Sequence, residues 1–136
     1  MLDQVSRRFE HGWDQLMKPI SRLLTAHTFT VLHDLTARYL SRVLERRVWD
    51  ARANAYGVIR MARDFSSIVS TVSKGNYGVR ELFARVSQIL MVANMEEEEW
   101  EEISVQPDDE EDGMIWVLTE DERRRARHLT SRERRG

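Results

Sequence analysis

The 136-residue chain contains no cysteine and only two prolines, Pro19 and Pro107. Without cysteine it can form neither a disulfide framework nor a thiolate site for metal or nucleophilic chemistry. No apolar run approaches the roughly 20 residues that span a bilayer. The first residues, which include Asp3, Arg7 and Arg8, also lack the apolar core of a signal peptide. We therefore expect a cytosolic protein whose association with any membrane is peripheral.

Residue patterns that carry catalysis or hold cofactors are missing too. The four histidines are His11, His27, His33 and His128. They fall at no metal-ligand spacing, and their residue type favours positions at the surface or its boundary. The turn Gly75–Gly78 lacks the Lys-Ser/Thr pair of a phosphate-binding loop. The residues of a Ser/His/Asp triad meet in space, so sequence spacing does not exclude one, but no feature of the sequence points to a triad. The Glu96–Glu99 run is typical of a solvated charge tract. We predict no enzymatic activity, no catalytic residue, no cofactor and no metal site.

Charge is strongly segregated along the chain. Residues 1–95 hold 14 basic and 8 acidic residues, residues 96–112 hold 11 acidic and no basic residues, and residues 120–136 hold 7 arginines and 4 acids. Blocks of like charge usually form solvated or interaction segments rather than core. They divide the chain into parts that the sequence predicts as follows: a helical body over 1–95, an acidic flexible loop over 96–113, an extended piece with a helix that packs on the body over 114–130, and a frayed tail over 131–136.

Apolar residues recurring every three or four positions predict five helices. Their approximate bounds are Asp3–Met17, Thr28–Trp49, Val58–Ser73, Tyr77–Met95 and Thr119–Leu129. Pro19 is expected to interrupt or restart the first helix, and Gly75 to end the third in a left-handed conformation. No alternating strand pattern occurs. The fold class is therefore all-α, a small bundle of about five helices with an acidic disordered loop before the last helix.

The periodicity also predicts which side chains are buried. In the first helix these are Val5, Phe9, Gly12, Trp13 and Leu16; in the second they are Val31, Leu32, Leu35, Tyr39, Val43 and Leu44. The third and fourth helices are joined by a short turn and should pack antiparallel through Phe65, Ile68, Val72, Leu82, Phe83 and Val86. Trp116 should dock on the bundle, because an exposed tryptophan beside Ile115 and Leu118 would leave a sizeable apolar patch.

Several ordered motifs resemble a known family. Phe83-Ala84-Arg85-Val86-Ser87-Gln88 precedes Trp116-Val117-Leu118-Thr119, which is followed after two residues by Glu122; upstream lie Phe9-Glu10-His11-Gly12-Trp13 and Leu44-Glu45-Arg46-Arg47. Together they resemble the C-terminus of the fourth subunit of the conserved oligomeric Golgi complex, a tether for retrograde vesicles. Members of that family are far longer, so the resemblance implies a short fragment of the subunit.

The resemblance implies a non-catalytic protein-interaction module acting in retrograde intra-Golgi transport. Its partners would be other subunits of the tethering complex, with SNAREs and their regulators as further candidates. It would lie on the cytoplasmic face of the Golgi membrane, held there through the complex, or in the cytosol if the fragment stands alone. The implied structural and interaction residues are Arg85, Glu122, Thr119, Trp116 and Phe83.

Arg85 and Glu122 carry the sharpest of these expectations. The resemblance implies a polar contact between them, and Arg85 lies at the edge of an apolar stripe, where its stem can pack while its guanidinium seeks a carboxylate. The alternative is that Glu122 only closes a capping box with Thr119 at the start of the last helix. A carboxylate has about four acceptor sites and could serve both.

A second functional hypothesis rests on Arg38, Arg42 and Arg46, which follow one another at i+4. Such a stripe, together with Arg47, could bind nucleic acid or anionic lipid. The negative net charge and the lack of interleaved aromatic residues on that face argue against this. We therefore keep a small nucleic-acid-binding helical protein as the alternative and predict no nucleic-acid partner.

Overall fold

The computed structural model describes residues 4–51, 55–105 and 115–130, which contain α-helices and 3-10 segments but no strand. The helices are α1 (Gln4–Leu23), α2 (Ala26–Trp49), α3 (Ala55–Ser73), α4 (Ala84–Asn94), α5 (Glu97–Ser104) and α6 (Glu120–Arg127). Two 3-10 segments cover Tyr77–Phe83 and His128–Thr130. The predicted all-α bundle is therefore confirmed, with α5 as a helix that the sequence did not separate from the acidic loop.

Helix α4 lies at the centre of the fold, where it contacts α2, α3 and α6, while α1 packs mainly on α3. The antiparallel pairing of α3 with the fourth predicted helix is present, with Phe65, Val72, Phe83 and Val86 buried and Ile68 and Leu82 half-buried against the core. Gly75 has φ +77°, the left-handed value expected of the residue that ends α3. The fourth predicted helix begins as a 3-10 segment and becomes α-helical only at Ala84.

The first helix departs from its prediction in length and in face. It runs through Pro19 to Leu23, although a proline inside a helix removes one backbone hydrogen bond. Met17 is buried just before the proline and Ile20 is half-buried just after it, so packing on both sides keeps the helix continuous. Val5 and Leu16, predicted as buried, are 53% and 56% exposed.

The second helix turns its predicted apolar stripe outward. Thr25 begins α2 by accepting a hydrogen bond from the Thr28 amide at 3.2 Å. The buried residues of α2 are His33, Ala37, Leu44 and Val48. The prediction was right for Leu44 but wrong for four exposed residues, Val31, Leu35, Tyr39 and Val43. The inward face carries Ala37, which is fully buried. Because the alanine side chain ends at Cβ, a neighbouring element can approach α2 closely at this point.

The structure describes only the first part of the acidic stretch. Glu97–Ser104 forms α5, at the start of the stretch that the sequence assigns to the acidic flexible loop. The rest of the predicted loop from 106 to 113, and the predicted frayed tail from 131, lie outside the described residues. No helix among the described residues is long and apolar enough to cross a membrane.

Candidate interaction site

Arg85 occupies the first turn of α4, where local packing fixes its direction. Phe83, the residue before the helix, is fully buried, and Val86 is only 2% exposed. Arg85 between them lies at the edge of the buried face, with 40% of its side chain exposed. Its stem therefore packs against the core while its guanidinium reaches the surface groups of two other helices.

The guanidinium of Arg85 joins α2, α4 and α6. Its Nε donates to Oε1 of Glu45 at 2.8 Å, and its Nη2 donates to Oε2 of the same carboxylate at 3.1 Å. Nη2 also donates to Oε2 of Glu122, and Nη1 donates to Oε1 of Glu122 and to the carbonyl of Val117, each at 3.4 Å. The contact that the sequence predicts between Arg85 and Glu122 is present, together with a second carboxylate that it did not predict.

Glu122 fills both of the roles that were weighed against each other. The Thr119 hydroxyl accepts from the Glu122 amide at 3.2 Å, and the Glu122 carboxylate accepts from the Thr119 amide at 3.0 Å, which closes a capping box. The same carboxylate binds Arg85. The Arg85 guanidinium, together with the hydrogen bond from the Thr119 backbone, lowers the pKa of Glu122 to about 2.

Glu45 is the carboxylate of this cluster to which the sequence analysis assigned no contact. Its bidentate contact with Arg85 lowers its pKa, while burial opposes this shift and the indole of Trp49, which donates at 3.2 Å, adds to it. Arg85 in turn has a raised pKa from both carboxylates. A signal existed in the sequence, because Glu45 belongs to the quoted Leu44-Glu45-Arg46-Arg47 motif and directly follows Leu44 of the predicted apolar stripe.

The segment before α6 is fixed by the side-chain amide of Gln88. Gln88 Nε2 donates to the Ile115 carbonyl at 2.8 Å, and Gln88 Oε1 accepts from the Val117 amide at 2.9 Å. Trp116, between the two bonds, is half-buried against the core, as predicted, and the Arg123 guanidinium lies 4.9 Å from its ring centre. These two hydrogen bonds fix the backbone around Val117, whose carbonyl accepts from Arg85.

A second arginine, Arg127, ties α6 to the other end of α4. It is buried and donates to the carbonyl of Val92 at 3.2 Å, to the carbonyl of Met95, and to Glu97 Oε2 at 2.9 Å. The last carbonyls of a helix have no partner within it, and Arg127 supplies a side-chain donor to two carbonyls at this end of α4. The sequence placed Arg127 in the last helix without assigning it a role.

The histidines and the arginine stripe do not form a site with this cluster. His33, expected at the surface or a boundary, is buried between Phe29 and Trp13, with ring centres 6.1 and 5.8 Å away, because α2 turns this face inward. Arg38 pairs with Asp34 at 2.8 Å on the exposed face of α2. The part of the chain that the structure describes contains no group of three or more residues able to hold a metal ion.

Five predicted site residues therefore fall into two groups. Arg85, Glu122 and Thr119 meet in one hydrogen-bonded cluster. Phe83 lies buried directly before α4, the helix that carries Arg85. Trp116 makes its ring contact with Arg123 instead. The arrangement can join three helices by charge-assisted hydrogen bonds; it offers no nucleophile paired with a base.

Comparisons with known proteins agree on one family. The profile of the family described as "Conserved oligomeric Golgi complex subunit 4, C-terminal" matches residues 1–125. The chain is similar to Conserved oligomeric Golgi complex subunit 4 of Saccharomyces cerevisiae, with 26% identity over 122 residues. The match covers 89% of this chain but only 14% of that relative. No solved structure matches the chain.

Proposed function

The chain belongs to the family of the C-terminal region of conserved oligomeric Golgi complex subunit 4, and from this premise we propose that it is a non-catalytic protein-interaction module of that Golgi tethering complex. The observation that carries the proposal is the family match over residues 1–125. The chain spans 14% of the yeast relative's length, so the activity of a whole subunit enters only as part of this proposal. Retrograde intra-Golgi transport is the process in which we place the module.

The Arg85 cluster supports an interaction role rather than a reaction. Arg85 binds Glu45, 40 residues before it in the chain, and Glu122, 37 residues after it, and so brings three helices together. Fork-shaped pairing of a guanidinium with carboxylates gives geometric specificity as well as stability. We infer that the cluster holds α6 in a fixed position on α2 and α4, so that the assembled helices present one rigid surface to other subunits.

The proposed partners are other subunits of the complex, with SNAREs and their regulators as finer candidates. We place the module on the cytoplasmic face of the Golgi, attached peripherally through the complex. The nucleic-acid alternative is not favoured: the family is that of a Golgi complex subunit, and one of the three arginines, Arg38, already pairs with Asp34.

Co-purification tests the proposal. An affinity-tagged copy of the chain, expressed in yeast, should recover other subunits of the conserved oligomeric Golgi complex in a stable ratio. Arg85→Trp should lower that recovery several-fold, because α6 loses its tie to α2 and α4, while circular dichroism still shows the helices of the bundle. Arg63→Trp, on an exposed position of α3, is the matched control and should leave recovery unchanged. Recovery of no complex subunit by the unaltered chain would refute the proposal.

A further inference from the structure

The outward face of α2 carries an apolar stripe that no described element covers. It consists of Val31, Leu35, Tyr39 and Val43, which are 45%, 59%, 70% and 40% exposed. The four residues follow one another at i+4 and extend over about 18 Å of helix. Apolar side chains scattered singly over a surface need no explanation, but a continuous row on one helix face marks an interaction surface. We call these four residues the α2 stripe.

Arginines line one edge of the α2 stripe. Arg38, Arg42 and Arg46 each follow a stripe residue by three positions and are all exposed. Asp34 neutralises Arg38 at 2.8 Å, whereas no carboxylate among the described residues pairs with Arg42 or Arg46. The C-terminal half of this edge therefore carries two positive charges that no described carboxylate compensates.

We propose that the α2 stripe is the docking surface for an acidic amphipathic helix of another protein, an inference that rests on the interaction role proposed above and names its partner by chemistry. The i+4 row of apolar side chains forms a ridge of the kind that packs into the groove of a second helix. The uncompensated Arg42 and Arg46 select glutamate or aspartate along the flank of that helix.

Two other occupants fit the stripe less well. A second copy of α2 brings no carboxylate to Arg42 and Arg46, because Asp34 pairs with Arg38 and Glu45 pairs with Arg85. Helices that lie on membrane surfaces bury Trp, Phe or Leu on a broad apolar face. The α2 stripe is one residue wide and contains neither tryptophan nor phenylalanine.

Binding of two synthetic helical peptides to the full 136-residue chain tests the proposal. The peptides share a leucine face and differ only in their flanks, which carry glutamate in one and lysine in the other. We expect the glutamate peptide to bind at least tenfold more tightly by fluorescence anisotropy. Leu35→Asp should weaken its binding at least tenfold, and Arg42→Glu combined with Arg46→Glu should reverse the preference toward the lysine peptide. Ile59→Asp, on α3 at a similar exposure of 51%, is the matched control.

Several results would overturn the inference. Equal affinity for the two peptides would remove the selection by charge, and binding unchanged by Leu35→Asp would place the contact elsewhere. A dimer in analytical ultracentrifugation that Leu35→Asp dissociates would assign the stripe to a second copy. Flotation with phosphatidylserine vesicles that Leu35→Asp abolishes would assign it to a membrane. If Leu35→Asp leaves recovery of complex subunits unchanged, the docking surface is wrong while the proposed function stands; if the unaltered chain recovers none, the function itself fails.

Discussion

The two halves of the bundle treat their apolar faces in opposite ways. In α3 and α4 the stripe that the periodicity predicts is buried, whereas in α1 and α2 the predicted stripe points largely outward and a neighbouring face packs inward. Hydrophobic burial drives both outcomes, but the inner face of α2 is built from Ala37, Leu44 and Val48 with a buried histidine. The difference shows that an amphipathic pattern identifies an apolar helix face but does not identify which element, if any, packs against that face.

The largest test of this contrast compares equivalent truncations in the two halves. Phe83→Ala removes a fully buried ring and should lower the free energy of unfolding by about 3–5 kcal/mol. Leu35→Ala, on the α2 stripe, should change it by no more than about 0.5 kcal/mol. Urea denaturation of both variants measures the difference. Similar losses would mean that the α2 stripe is covered in solution by the chain itself.

Replacement of the buried arginine in α6 should have the next largest effect. Arg127→Met removes the buried guanidinium that donates to the carbonyls of Val92 and Met95, and it should cost about 1–3 kcal/mol. Arg124→Met is the matched control, because Arg124 is exposed and its pair with Glu120 at i+4 is a surface interaction, worth about 0.3–0.5 kcal/mol. Thermal or urea unfolding separates the two. Equal losses would show that Arg127 contributes no more than a surface pair.

A double-mutant cycle sharpens the role of Arg85. Arg85→Ala and Glu122→Ala should show a coupling of about 1 kcal/mol, since the pair is charge-assisted but partly exposed. The parallel cycle with Glu45→Ala should give a coupling at least as large, because Glu45 accepts two well-placed hydrogen bonds at 2.8 and 3.1 Å. Strict additivity in the first cycle would reduce Glu122 to a helix cap.

The smallest predicted effect is a pH dependence of stability. The pKa of Glu122 falls from its ordinary value of 4.5 to about 2 in the folded chain. Its contribution is therefore present above pH 4.5 and is lost as the pH falls from about 4.5 to about 2. In Glu122→Gln the free energy of unfolding should fall less over this pH range than in the unaltered chain. The difference should be on the order of 1 kcal/mol, given partial solvent screening.

Local chemistry was predictable from the sequence, and long-range partners were predictable only in part. The end of α3 at Gly75 and the capping box of Thr119 and Glu122 depend on a few neighbouring residues, so their residue types suffice. The contact of Arg85 with Glu122 followed from a family resemblance. The contacts of Glu45 with Arg85 and of Gln88 with Val117 span 40 and 29 residues, and they depend on how α2 and α4 are rotated about their axes.

That rotation is also the reason why the buried faces of α1 and α2 could not be read from periodicity. Leu35 and Tyr39 are better apolar candidates than His33 and Ala37 by residue type alone, yet His33 and Ala37 are buried. The inward face of α2 is stabilised by the full burial of the small Ala37 side chain and by the ring contacts of His33 with Phe29 and Trp13. Neither term appears in a one-dimensional pattern.

The double pairing of Arg85 has a consequence for partial unfolding. If α6 detaches from the bundle, Arg85 keeps its two hydrogen bonds to Glu45, so opening does not leave an unpaired cation at the edge of the core. The cost of releasing α6 is lowered by that amount, and native-state hydrogen exchange should show the amides of α6 opening below the global free energy of unfolding. With Glu45 in place, opening of α6 therefore costs less than it would if Arg85 were left unpaired at the edge of the core.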